Sequence, residues 1–310
     1  MAYNLKQELA KPERLTGGHR LCAGCGASVA ARSVLRALDA DDKAVVGCAT
    51  GCLQVSGFLY PYTAWKDSYI HSAFENVGAT VSGVEACYRA KRKRNELEDK
   101  YKFVAFGGDG GTYDIGFQSL SGAMERGHDM VYVCYDNEAY MNTGIQRSSS
   151  TPEFADASTS PAGSDVPGKQ QRKKDMTEVL AAHNIPYVAQ TTFISNFKDL
   201  HEKARKAHYT PGPAFLNILA PCPRGWRYPN EDLMEICKLA VEACVWPLYE
   251  VINGEEWILN YEPKNKLPVE DYLRPQGRFA HMFQPGNEWM IQKIQDTVDK
   301  KWNLLQSRCK

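Results

Sequence analysis

Five short apolar runs separated by helix-like stretches constrain the fold of this chain more than any other feature. KAVVGCAT (43–50), KFVAFGGDG (102–110), MVYVCYDNE (130–138), IPYVAQTT (185–192) and PAFLNILAPC (213–222) read as buried strands. ASVAARSVLRALDA, NVGATVSGVEACYRAKRKRNE, FQSLSGAMERG, MTEVLAAHN and FKDLHEKARKAHY, before and between them, read as helices. Strands alternating with helices imply an α/β chain built on a doubly wound, mostly parallel sheet. In such sheets ligands collect beyond the carboxyl ends of the strands. The residues that close each run are therefore the ones to inspect.

Length and charge narrow the function class. A chain of 310 residues is one large or two medium domains with room for a sizeable core. Lys plus Arg and Asp plus Glu are both 37, so bulk charge favours neither nucleic acid nor an anionic membrane. The KRKR run at 91–94 is followed by acids and reads as the solvated end of a helix. The polar start, MAYNLKQELAKPERL, has no apolar region of a secretory signal, and no run of 18 apolar residues occurs. Both points favour a cytoplasmic chain without a membrane span. Ten cysteines in such a chain point to metal binding or catalysis rather than disulfides. Residues 1–245 are expected to form the α/β domain, and 246–310 an irregular C-terminal arm that packs on partner subunits. The segment 147–175, rich in Ser, Pro, Ala and Gly, is too long for a plain connection and is expected to be an ordered loop over a site or a subunit contact.

GGDGGTYDIG (107–116) joins a strand end to a helix. Glycines such as Gly108, Gly110 and Gly111 let backbone N–H groups approach a phosphate, and a helix N-terminus adds favourable partial charge. Asp109 among them would repel a bare phosphate but suits a Mg²⁺ shared with a diphosphate. A second oxygen donor should come from the neighbouring strand end, where Asn137 and the carbonyl of Ala139 are candidates. An aspartate at one strand end and an asparagine at the next resemble the thiamine diphosphate signature.

Cysteines mark the same edge. RLCAGCGAS carries Cys22 and Cys25 in a glycine-rich turn, CATGC (48–52) closes the first strand, and APCPRGW places Cys222 after the last. Four thiolates suit zinc or an iron–sulfur cluster. Structural zinc more often takes two close pairs, so the isolated third and fourth ligands favour the cluster. The residues alone leave Cys48 and Cys52 as alternatives for the third position. Cys87, Cys134, Cys237, Cys244 and Cys309 read as incidental thiols.

LCAGCGAS, ATGC, GDGGTYDIG, YDNEAYMNTGIQRS and LAPCPRGW, in that order, resemble the β subunit of pyruvate:ferredoxin oxidoreductase and the wider 2-oxoacid:ferredoxin oxidoreductase family. That resemblance implies a [4Fe–4S] cluster on Cys22, Cys25, Cys52 and Cys222, choosing Cys52 over Cys48. It implies Mg²⁺ held by Asp109, Asn137 and the Ala139 carbonyl, and Asn142 facing the reactive carbon and substrate. Thr50 of ATGC and Phe74 of FEN are implied beside the cofactor. The activity implied is oxidative decarboxylation of a small 2-oxoacid in anaerobic metabolism. Pyruvate is the default, with coenzyme A as acyl acceptor, and other small 2-oxoacids, oxalate included, remain open. Electrons would leave through the cluster to ferredoxin. The chain holds only one α/β domain, so the pyrimidine-activating glutamate and the ferredoxin-type clusters are expected on partner subunits. A non-oxidative thiamine decarboxylase subunit would have no use for the four cysteines, and a non-enzymatic zinc module none for Asp109 and Asn137.

Overall fold

The computed structural model describes residues 3–309 except 164, 195 and 196; one of these, Ser164, belongs to the expected long loop. The strands in chain order are β1 (Lys43–Ala49), β2 (Phe58–Leu59), β3 (Tyr62–Thr63), β4 (Ser68–Ser72), β5 (Tyr101–Gly108), β6 (Val131–Asp136), β7 (Tyr187–Thr191), β8 (Ala214–Leu219), β9 (Tyr249–Ile252) and β10 (Glu256–Leu259). Eight of them form one sheet in the order β10-β9-β7-β8-β6-β5-β1-β4, and β2 pairs only with β3. From β4 to β7 all pairings are parallel, while β9 and β10 extend the β7 edge in antiparallel fashion. All five expected strands are present.

The central strands are parallel and hidden because both faces are covered. Every residue of β6 and of β8 is buried, the continuous apolar pattern that such strands require. Alternate residues enter opposite cores. Tyr132 and Cys134 join Phe103 and Phe215 on one face, and Val131, Val133 and Tyr135 join Val104, Phe106 and Leu216 on the other. Gly26–Arg36 covers the second face through Ala27, Ala30, Ala31, Val34 and Leu35, spaced three and four apart. Helices Val77–Lys93, Phe117–Glu125, Met176–Ala181 and Lys198–Tyr209 occupy the other expected stretches. The KRKR run ends the first of these, where cations complement the helix dipole.

Residues 246–309 hold regular structure where an irregular arm was expected. Asn253 and Gly254, both at positive φ, turn β9 into β10 through the three-residue loop 253–255, Asn and Gly being the residues that tolerate the left-handed region in turns. Helix Glu288–Arg308 follows, and Tyr272, Phe279, Met290, Trp302 and Leu305 enter the same core as β5 and β6. The described residues of segment 147–175 form no strand or helix of their own but are tied down from within. The fully buried Lys169 donates to the Ser149 carbonyl at 3.2 Å and to that of Thr151. Burial, reinforced by the charges of Arg147 and Lys173, pushes its pKa down to about 8. Among the described residues no helix is long and apolar enough to cross a membrane.

Candidate cofactor and thiol site

The carboxyl ends of β1, β5 and β6 open onto one pocket. Thr50, Gly51 and Cys52 line it from β1, Gly108, Gly110 and Gly111 from β5, and Asn137, Ala139, Met141 and Asn142 from β6, with Phe74 and Tyr140 beside them. Nearly all the pocket residues expected from sequence thus meet in one cavity. Gly110 has no alternative: a Cβ there would lie 2.4 Å from the Tyr140 ring. The Phe74 and Tyr140 rings face each other at 5.6 Å. Asn142 is exposed on the pocket wall, free to meet a ligand.

Oxygen atoms converge at the base of this pocket. Asp109 is fully buried and accepts from Ser148 Oγ at 2.5 Å and from the Asn137 backbone N–H at 3.3 Å. Among the described residues no basic side chain pairs with it, although an uncompensated buried carboxylate is costly. Burial first, and then the charge of Asp136, hold its pKa well above the carboxylate range. The Asn137 side-chain oxygen as placed stands 2.9 Å from Asp109 Oδ1 and 2.8 Å from the Ala139 carbonyl. Turning the amide would let its nitrogen donate to both. Three oxygens facing one another are instead the arrangement a cation relieves. Adjacent ligands of an octahedral Mg²⁺ with bonds of 2.0–2.1 Å lie about 2.9 Å apart. The donor set therefore fits the metal in both chemistry and spacing.

A second ring of buried charges stands behind these oxygens. Asp136 accepts from Tyr113 Oη at 2.8 Å, Ser150 Oγ at 2.6 Å and Lys173 Nζ at 2.8 Å. Glu138 accepts from Lys173 at 2.7 Å and from Arg278 at 2.5 Å. Burial would raise the Glu138 pKa, but the charges of Lys173 and Arg278 outweigh it and hold the group below its usual range. Ser148, Ser150 and Lys173 all belong to the long loop, which therefore folds against the back of the cofactor pocket. Sequence reasoning did not single out these residues. The positive φ of Glu138 and a lone arginine near the C-terminus leave no periodic signal.

The four expected cysteines come together nearby. Cys25 caps helix Gly26–Arg36, Cys52 opens helix Cys52–Gly57, and Cys222 caps the short turn Pro223–Trp226. Gly26 makes the junction possible. Its N–H donates to the Pro221 carbonyl at 3.1 Å, and a Cβ there would lie 2.5 Å from the Ala220 carbonyl carbon. Gly24, at φ +71, approaches the backbone of Asn230 as closely. Burial raises the thiol pKa of Cys25 to about 11 and that of Cys52 to about 12, and the neighbouring thiols add to both. In each case those neighbours are drawn from Cys22, Cys25, Cys52 and Cys222. Cys48 is instead fully buried within β1 and interacts with Tyr69. Among the described residues no group of three or more His, Cys, Asp or Glu side chains is arranged to hold a single metal ion. Replacing Gly26 by Ala should force the helix start off residues 220–221 and cost about 1–3 kcal/mol, read as a lower urea midpoint.

Comparison with known proteins shows the family of the chain. Residues 46–218 match the family described as thiamine pyrophosphate enzyme, C-terminal TPP binding domain. The chain is 51% identical over 300 residues to pyruvate synthase subunit PorB of Methanocaldococcus jannaschii, covering 96% of this chain and 98% of that one. It is 49% identical to PorB of Thermotoga maritima, covering 97% and 94%. It is 41% identical to ketoisovalerate oxidoreductase subunit VorB of Pyrococcus abyssi, covering 97% and 96%. A structure of 2-oxoglutarate:ferredoxin oxidoreductase from Magnetococcus marinus superposes with a TM-score of 0.57 at 22% identity, covering 77% of this chain and 80% of that one, and shares the fold. With full-length relatives of this kind and a TPP binding domain match that covers most of its parallel strands, the chain belongs to the thiamine diphosphate-binding β subunits of the 2-oxoacid:ferredoxin oxidoreductases.

Proposed function

We propose that this β subunit serves pyruvate oxidation, holding thiamine diphosphate through Mg²⁺ and a [4Fe–4S] cluster on four thiols. The convergence of Asp109, Asn137 and the Ala139 carbonyl at octahedral spacing, in a pocket that also contains Cys52, carries this reading. Thiamine diphosphate when bound supplies the electron sink for decarboxylation. A cluster on Cys22, Cys25, Cys52 and Cys222 supplies one-electron transfer toward ferredoxin. The glycine turn 108–111 offers backbone N–H groups to the diphosphate, and Asp109 neutralises the metal. Asn142 orients a substrate oxygen from the pocket wall, worth about 3 kcal/mol for a preorganised donor. Asn142→Ala should therefore lower kcat by about 10²-fold while cofactor affinity holds. The identity to pyruvate synthase subunits favours pyruvate as substrate, and coenzyme A is read as the acyl acceptor.

The pyrimidine half of the cofactor is read as meeting a glutamate on a partner subunit, with the long loop and C-terminal segment as candidate contacts. Purified alone, this chain is then expected to be inactive toward any 2-oxoacid, and activity should appear when the partner subunits are added. Turnover of the complex with pyruvate, 2-oxoisovalerate, 2-oxoglutarate and oxalate, each with and without coenzyme A, tests the substrate. Comparable activity of the isolated chain would overturn the shared site. Preference for another oxoacid would overturn pyruvate.

A further inference from the structure

We propose that Arg278, far along the chain from the pocket motifs, is a positioning residue for the turn 137–139; this rests on reading that turn as the Mg²⁺ site. Arg278 is 2% exposed. It touches two residues that hold the turn. Its Nη2 donates to Glu138 Oε2 at 2.5 Å, and its guanidinium lies 3.8 Å from the centre of the Trp226 ring. Glu138 stands between Asn137 and Ala139, two of the three proposed ligands, and Trp226 Nε1 donates to the Asn137 carbonyl at 2.7 Å.

The backbone shows why the turn needs holding. Glu138 has φ +65, a left-handed conformation uncommon for a side chain of this size. That twist lets the Asn137 side chain and the Ala139 carbonyl face the same point, 2.8 Å apart. Strained residues of this kind persist only where their surroundings over-determine them. Asp136 accepts the Glu138 N–H at 3.0 Å, and Thr151 Oγ1 donates to the Glu138 carbonyl at 2.7 Å. Lys173 takes one carboxylate oxygen, and Arg278 takes the other.

Arg278 adds a second link between this turn and the segment that carries Cys222, beside the direct bond from Trp226 Nε1 to the Asn137 carbonyl. It is itself pre-aimed: Nε donates to Gln276 Oε1 at 2.9 Å, and the Gln276 amide donates to the Tyr272 carbonyl at 2.5 Å. A planar fork that binds a carboxylate and stacks on indole at once is something lysine does not reproduce. Arg278 does not line the pocket, so its effect should fall on metal affinity.

The test is a Mg²⁺ titration of thiamine diphosphate binding, followed by tryptophan fluorescence in the complex with partner subunits. Arg278→Ala should raise the Mg²⁺ half-saturation about 10-fold or more, the range for groups that orient metal ligands. Arg278→Lys should recover part of the loss. Glu138→Gln with Arg278→Met removes both charges, so no carboxylate is left without its arginine, yet the half-saturation should stay raised. A wild-type half-saturation in Arg278→Ala would overturn the proposal. If that variant does not assemble, a wild-type value in the double variant overturns it. Cofactor binding by the unaltered complex without any divalent cation would overturn the Mg²⁺ site itself, and this proposal with it.

Discussion

Asp109→Asn is expected to abolish thiamine diphosphate binding at ordinary Mg²⁺ concentrations. The substitution keeps the volume and removes the only charge offered to the metal. Its effect should exceed the 10–100-fold that changes behind the ligands cause, reaching about 10³-fold in cofactor affinity. The fold should not suffer. Burial and Asp136 already disfavour the Asp109 anion when no cation is present, so the cofactor-free variant should be at least as resistant to urea as the parent. A titration calorimetry experiment with Mg²⁺ checks the first point and an unfolding curve the second. Normal cofactor binding would remove Asp109 from the site. Loss of binding together with loss of stability would mean that it serves the fold instead.

The second large effect concerns sulphur. Cys22→Ser, Cys25→Ser, Cys52→Ser and Cys222→Ser should each lose the broad visible absorption and most of the iron from anaerobically purified protein. A hydroxyl is a poor substitute for a thiolate on iron. Cys48→Ser should keep both, because that side chain is fully buried in the core beside Tyr69. The reverse result, colour lost with Cys48→Ser and kept with Cys52→Ser, would reassign the third ligand. A colourless parent protein containing one zinc would remove the cluster altogether.

These two sites were readable in the sequence to unequal depths. Strands β1, β5, β6, β7 and β8 could be read because both faces are buried and their apolar runs are continuous. β4, sequence SYIHS, could not: most of its residues are partly exposed at a sheet edge, which erases the pattern. The β9–β10 hairpin carried an overlooked signal in Asn253–Gly254. Asp109 and Asn137 were legible because glycines and strand ends frame them. Ser148, Ser150 and Lys173 sit in a segment whose composition looks structureless, and only the folded chain shows them hydrogen-bonded to Asp109, Asp136 and Glu138. Arg278 was invisible for a related reason. A buried ion pair between residues 140 positions apart is a property of the packing, with no local trace.

The close approach of Gly26 to Ala220 and Pro221 has a consequence for biosynthesis. Two thiols nearly two hundred residues apart in sequence meet only after β8 has slipped between β6 and β7. Such distant contacts form slowly, since the ordering entropy of the intervening chain comes first. A ribosome-bound chain lacking β8 already carries Cys22, Cys25 and Cys52 but not Cys222, and presents the C-x-x-C pair as an open, oxidisable dithiol. For the cluster proposed above, completion of the four-thiol set must then wait for β8. Cells short of iron should accumulate a folded precursor that is more readily cleaved by protease, because a ligand that binds only the native state deepens its well.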